Sequence, residues 1–155
     1  MTHFETLTSD EIQLLEEAIP LIAVLIAGAD GHIQISESDW AAKLTHIRSY
    51  SGLEDLKEFY KQIDANFKIK FEEFVKFLPT DTDARQKMIS DNLSNLNPIL
   101  QKLDPLVAFH LYTSYKTYAK SVADASGNIL GFHYVQNEEK PWLDLPMIHS
   151  IAEPV

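Results

Sequence analysis

The first long stretch of the chain changes pattern halfway along. Ile12, Leu14 and Leu15 are spaced among acids and glutamine, whereas every residue from Leu21 to Ala27 is apolar. The spaced part predicts an amphipathic helix and the unbroken part a helix buried on all sides. Thr8 with Glu11 three positions on reads as a capping box, so this helix is expected to begin near Ser9. Pro20 falls inside it. A proline removes one hydrogen bond and its ring crowds the preceding turn, which predicts a kink or a new helix start near Ile19.

Beyond Ala29-Asp30-Gly31-His32-Ile33 a second helix is expected from Ser36, with Ser36 and Asp39 as its capping signal and Trp40, Leu44 and Ile47 on one face. Ser51-Gly52 ends it. Leu53, Leu56, Tyr60, Ile63 and Phe67 then repeat at steps of three and four, and Phe71, Phe74, Val75 and Leu78 continue the pattern up to Pro79. A further helix should start between Asp81 and Asp83, with Pro98 marking a bend, and Asp104-Pro105 should open a long helix to about Ala125. That helix carries Phe109, Tyr112, Tyr115 and Tyr118 at steps of three. Such a stripe can stack bases, but the expectation is core packing with tyrosine hydroxyls at its rim. Gly127 to Gln136 is the longest expected loop; its Gly131–Val135 alternation has no clear strand partner. A last helix is expected from Glu138 to about Ile151, bent or split by Pro146. The expected class is all-α: one compact domain, 1–155, of seven or eight helices.

Two stretches look like copies of one corner. Ala27-Gly28-Ala29-Asp30-Gly31-His32-Ile33 leads to Ser36-Glu37 and Trp40, and Ala123-Asp124-Ala125-Ser126-Gly127-Asn128-Ile129 leads to Asn137-Glu138-Glu139 and Trp142. Each copy is expected to end a helix at a glycine able to adopt φ > 0, and to open the next with a cap and a carboxylate. The spacing points to a duplicated helix-loop-helix corner.

Charge narrows the partners. With 13 Lys and Arg against 23 Asp and Glu, the net charge is −10, a poor match for nucleic acid, whose binders cluster cations against phosphate. The densest basic run, Lys57, Lys61, Lys68, Lys70 and Lys76, is interleaved with six acids and reads as a solvated helix surface. The absence of cysteine excludes disulfides, thiolate metal sites and cysteine nucleophiles. Met1–Glu5 lacks the pattern of a signal peptide, and the apolar run Ala18–Ala29 is shorter than a membrane span, so the expected location is the cytoplasm without membrane insertion.

No trusted Ser-His-Asp order, glycine-rich phosphate loop or His-x-x-x-His pair is present. His32, His46, His110, His133 and His149 are scattered and read as structural or surface residues, with His32 and His133 set apart by their place in the duplicated loops. The acidic corner carries more signal. Asp30-Gly31-x-Ile33 with Glu37 reproduces the second half of an EF-hand calcium loop, but Ile26 and Gly28 occupy the opening ligand positions, which excludes a complete one. What remains is a candidate metal cluster of Asp30, Glu37 and Asp39, with Asp124, Glu138 and Glu139 brought beside it if the corners pair. Hard oxygen ligands of this kind would take Ca²⁺ or Mg²⁺, weakly. The competing reading is that Asp30 and Glu37 stabilise helix ends.

The paired Ala-x-Ala-Asp/Ser-Gly-x-Ile corners, the acidic residue opening the next helix, and Ser126-Gly127-x-Ile129-Leu130-Gly131-Phe132 resemble the TerB-like family of tellurite-resistance proteins, related to the N-terminal domain of DjlA-type co-chaperones. The resemblance spans roughly Ser9 to Ile151. It implies an all-helical cytoplasmic domain with acidic corners and a stress-response or assembly role without a known catalytic activity. Asp30 and Glu37 match the acidic pattern of the first corner, while Ser126 replaces the acid of the second. The leading expectation is a non-enzymatic interaction or sensor module with a protein partner. The alternative is a metal-dependent enzyme using the same carboxylates.

Overall fold

The computed structural model describes residues 2–29, 31, 33, 35–129 and 142–155. Six α-helices and two 3-10 turns, Thr2–Phe4 and Glu54–Leu56, account for most of them: α1 (Ser9–Ala27), α2 (Ile35–Ser51), α3 (Lys57–Phe77), α4 (Thr82–Ser94), α5 (Leu96–Leu100) and α6 (Pro105–Ile129). Among the described residues there is no strand, and no helix is long and apolar enough to cross a membrane. The all-α class is therefore what the residues form. Five of these helices have 13 residues or more and α5 has five.

α1 is the axis. Its capping box forms as the spacing predicts: the Glu11 N–H donates to Thr8 Oγ1 at 3.2 Å, and the Thr8 N–H donates to Glu11 Oε1 at 3.0 Å. From Ala18 to Ala27 every residue is buried, and α1 packs against each of α2 to α6. Pro20 does not start a new helix, because α1 runs through it. Packing on all sides holds the chain helical across the one missing hydrogen bond.

α2 and α3 form the most extensively packed pair, an antiparallel hairpin turned at Gly52. α2 opens one residue before the expected start, so Ser36 lies in its first turn and is not its cap. α3 buries Phe59, Tyr60, Ile63, Phe67 and Phe71, the predicted stripe, and is one helix to Phe77. The next break falls at Asn95, three residues before the expected bend at Pro98. Pro98 has no N–H to offer the Ser94 carbonyl, so the preceding turn gives way first.

α6 packs against α1 and α2 with Tyr115 and Tyr118 in the core, as the stripe predicts, but with their hydroxyls buried there and not at its rim. Tyr115 and Tyr118 are fully buried, and the Tyr115 hydroxyl donates to the Leu15 carbonyl at 2.7 Å. Burial pushes both hydroxyls far above the usual tyrosine range. α6 also runs on through Ser126 and Gly127 to Ile129, past the expected helix end near Ala125.

The expected last helix is corrected in its described part, since Trp142–Ile151 runs as turns. Leu145, just before Pro146, adopts φ 46°; a residue preceding proline is pushed out of the right-handed helical region, so the chain could not continue as a helix there. The segment is instead clasped by Asn97, whose Nδ2 donates to the Met147 carbonyl at 3.0 Å and whose Oδ1 accepts from the His149 N–H at 2.8 Å. Leu145 and Ile148 are buried in the core.

The Tyr115–Leu15 bond links α6 to α1 at full burial. Tyr115→Phe should cost about 1 kcal/mol, the typical net worth of one intramolecular hydrogen bond, as a lowered denaturation midpoint with an unchanged m-value.

Candidate functional site

At the corner between α1 and α2, polar side chains of α4 meet the buried end of a helix. α1 ends at Ala27, and Gly28 caps it, its N–H donating to the Val24 carbonyl at 2.8 Å. The last carbonyls of a helix have no partners within it, and those of α1 are buried. Two side chains of α4 supply donors. Arg85 Nη2 donates to the Gly28 carbonyl at 2.7 Å, and Gln86 Nε2 donates to the Leu25 carbonyl at 2.8 Å.

Both are deeply enclosed, Arg85 at 6% and Gln86 at 4% exposure. Among the described residues, Arg85 Nε and Gln86 Oε1 have no hydrogen-bond partner. Gly31, not Gly28, takes the left-handed conformation, at φ 90°, and a Cβ there would lie 3.2 Å from Thr82 Oγ1 at the start of α4. Asp81 caps α4 by accepting from the Ala84 N–H at 2.9 Å. A buried guanidinium and the first turn of a helix thus lie beside the corner's backbone, and both carry positive charge.

The candidate metal residues do not converge in the part that can be described. Glu37 is buried, at 6% exposure, while Asp39 is exposed and pairs with Lys68 at 3.1 Å. Residues two apart on a helix point to different faces, so these two cannot close on one ion. Asp124 is exposed on α6. Asp30, Glu138 and Glu139 lie outside the described residues, as do His32 and His133. Among the described residues no three acidic or histidine side chains gather closely enough to hold a metal.

Other polar clusters are present that spacing did not single out. Arg48 on α2 lies with its guanidinium carbon 5.5 Å from the ring centres of both Tyr60 and Tyr118. Its Nη1 donates to Tyr60 Oη at 2.9 Å, to the Ser114 carbonyl at 2.9 Å and to Ser114 Oγ at 3.0 Å, and its Nη2 donates to Thr117 Oγ1 at 3.1 Å. Tyr60 and Ser114 also bond through their hydroxyls. The Tyr118 hydroxyl donates to the Ala41 carbonyl at 3.2 Å and lies 3.2 Å from Thr45 Oγ1. This network ties α2, α3 and α6 together.

Two histidines meet carboxylates, His46 with Asp64 at 2.8 Å and His110 with Asp55 at 2.6 Å. The second pair is half-buried, and Asp55 Oδ1 is buried without a hydrogen-bond partner among the described residues. A carboxylate on Nδ1 fixes a histidine's orientation, but Ser114, one turn on, already serves Arg48 and Tyr60. The signal for the arginines was in the sequence: the chain has only two, and Arg85 stands in the register of the buried Ile89 and Leu93.

The tightness of the corner is testable through its glycines. A Cβ on Gly28 would lie 2.9 Å from both Arg85 Nη2 and the Val24 carbonyl, and 3.1 Å from Ile33 Cγ1. Gly28→Ala should destabilise by about 1–3 kcal/mol, the cost of overpacking, although glycine-to-alanine changes at permissive sites usually stabilise. Gly31→Ala should cost about 1–2 kcal/mol through its left-handed backbone. Denaturant unfolding of both variants is the check.

No protein-family model matches the chain, and neither the curated proteins nor the solved structures contain a significant match to it.

Proposed function

We propose that this chain is a TerB-like helical module that acts by binding a protein partner, without catalysis, in a stress-response setting. Carrying this reading is an open groove beside the first corner, of about 400 Å³, lined by Ile33, Phe67, Phe71 and Val75 and rimmed by Asp39, Lys68, Glu72 and Lys76. An apolar floor within a polar rim is the anatomy of a protein interface. Arg48, Tyr60, Ser114 and Tyr118 are by contrast engaged in holding helices together. A net charge of −10 favours a cationic partner and a salt-sensitive encounter.

The acidic corner as a cation site is not part of this reading. Glu37 and Asp39 face apart, and Arg85 with the start of α4 places positive charge against the corner's backbone.

A solvent-facing substitution tests the groove. Val75 is 38% exposed, so Val75→Asp should leave the fold intact. A protein captured from cell extract by the wild type, released by raised salt, lost with Val75→Asp and retained by Lys87→Ala on α4 fits the proposal. Equal capture by both variants, or substrate turnover without capture, contradicts it.

The cation question has its own readout. Millimolar Ca²⁺ or Mg²⁺ should leave the melting temperature unchanged. A sparsely charged site with a dissociation constant on the order of 10⁻⁴ to 10⁻³ M would instead gain about 1.4 kcal/mol at ten times that concentration. Such a rise, abolished by Asp30→Asn with Glu37→Gln, would restore the metal reading.

A further inference from the structure

Pro20 has a second consequence besides the missing helix bond. The N–H it lacks is the one that would have reached the Glu16 carbonyl, so that carbonyl loses its helical donor. Glu16 and Pro20 both line a cleft of about 170 Å³ between α1 and α3, together with Glu17, Asn66, Phe67 and Lys70. The cleft is open to solvent and shares Phe67 with the groove beside the corner.

Its charges do not balance. Glu17 is engaged, accepting from Gln13 Nε2 at 2.8 Å and pairing with Lys70 at 3.4 Å, while Lys70 also reaches Glu73 at 3.7 Å. Glu16, next to it, has no ion-pair partner within 4.0 Å among the described residues. Of the two carboxylates that line the cleft, Glu17 shares Lys70 with Glu73, and Glu16, itself half-buried, is left without a lysine beside it among the described residues.

The acceptors on offer are the Glu16 carboxylate and the Glu16 carbonyl that Pro20 leaves without its helical donor, with Asn66 on the facing wall. Such a set asks for a donor-only group of charge +1, and an ammonium offers three N–H donors and no acceptor. The Phe67 ring and the Pro20 ring supply apolar walls for a carbon chain behind it. The volume is below the roughly 300–1,000 Å³ of pockets for drug-sized ligands, and suits one slender chain with one head group. A chelated divalent ion would require Glu17 to leave Lys70.

We propose that this cleft binds a primary ammonium group on an aliphatic chain, held by the carboxylate and the freed carbonyl of Glu16. Burial, with a smaller contribution from the Glu17 charge, pushes the Glu16 carboxyl above its ordinary range. Lys70 on α3 and the buried Tyr115 hydroxyl on α6 are the other titratable groups about it. A bound cation favours the ionised form, so affinity rises with pH through that raised range. With the ligand absent the sign reverses: ionised Glu16 destabilises the fold at neutral pH, and that penalty disappears as pH falls through the raised range into the ordinary carboxylate range. Glu16→Gln should therefore be more stable than the wild type at neutral pH, with the difference vanishing in acid.

The test is a set of thermal melts of the full chain at neutral pH and constant ionic strength. The probes are n-butylammonium, Nα-acetyl-lysine amide and, as a cation without N–H donors, tetramethylammonium. The wild type and the exposed-carboxylate control Glu58→Gln should rise in melting temperature with n-butylammonium and not with tetramethylammonium. Glu16→Gln should bind at least about tenfold more weakly, the size of one lost charge-assisted hydrogen bond. A response to the lysine amide as well assigns the site to a partner's lysine side chain; a response to the free amine alone assigns it to a small alkylamine. Equal responses to tetramethylammonium, an undiminished response in Glu16→Gln, or no response in the wild type would each overturn the proposal.

Discussion

Burying a helix on every side is what the rest of this structure answers to. From Ala18 to Ala27, α1 has no solvent face, and enclosing so much aliphatic surface is the main favourable term available to a chain of this size. The same enclosure creates a debt of hydrogen bonds, because the final carbonyls of α1 end inside the protein, where an unmet acceptor costs about 1–3 kcal/mol. Arg85 and Gln86 meet that need from α4. The position of α4 follows from the end of α1 as much as from its own modest apolar face.

The two arginines of the chain share a role that its eleven lysines do not. A guanidinium presents several donors in a planar fork and is less strongly hydrated than an ammonium, so it can enter a core and serve carbonyls, hydroxyls and ring faces together. Arg48 joins three helices between two tyrosine rings, and Arg85 closes the end of a fourth. With both arginines occupied in this way, the openings offered to other molecules include the groove beside the first corner and the cleft beside Pro20.

Negative charge is unevenly matched over that outside. Most acids near a lysine form a pair, as Asp39 with Lys68 and Glu17 with Lys70, and exposed pairs of this kind add little to stability. The exception that matters is Glu16, where partial burial prevents water from compensating the charge as fully as it does for its neighbours.

The all-α class, the capping box at Thr8, the tyrosines of α6 and the apolar stripe of α3 were legible in the sequence, because each depends on spacing within one helix and the 3.6-residue period fixes which face a residue takes. Helix ends were less so: Pro20 was expected to kink α1 or to start a new helix, and α1 runs on through it without a new start, while Trp142–Ile151 was expected to be helical, yet Pro146 and the Asn97 clasp hold it in turns. The candidate metal cluster gathered residues by type and separation. Glu37 and Asp39 then proved to lie on different faces, one in the core and one paired at the surface. Only the tertiary structure placed Arg85 under Gly28, Arg48 between Tyr60 and Tyr118, and Glu16 in an open cleft opposite Asn66 and Phe67. Each of these joins residues from different helices or depends on which side of a helix is left open. Periodicity along a single chain sets what every helix offers, whereas the packing of one helix against another decides which offers meet.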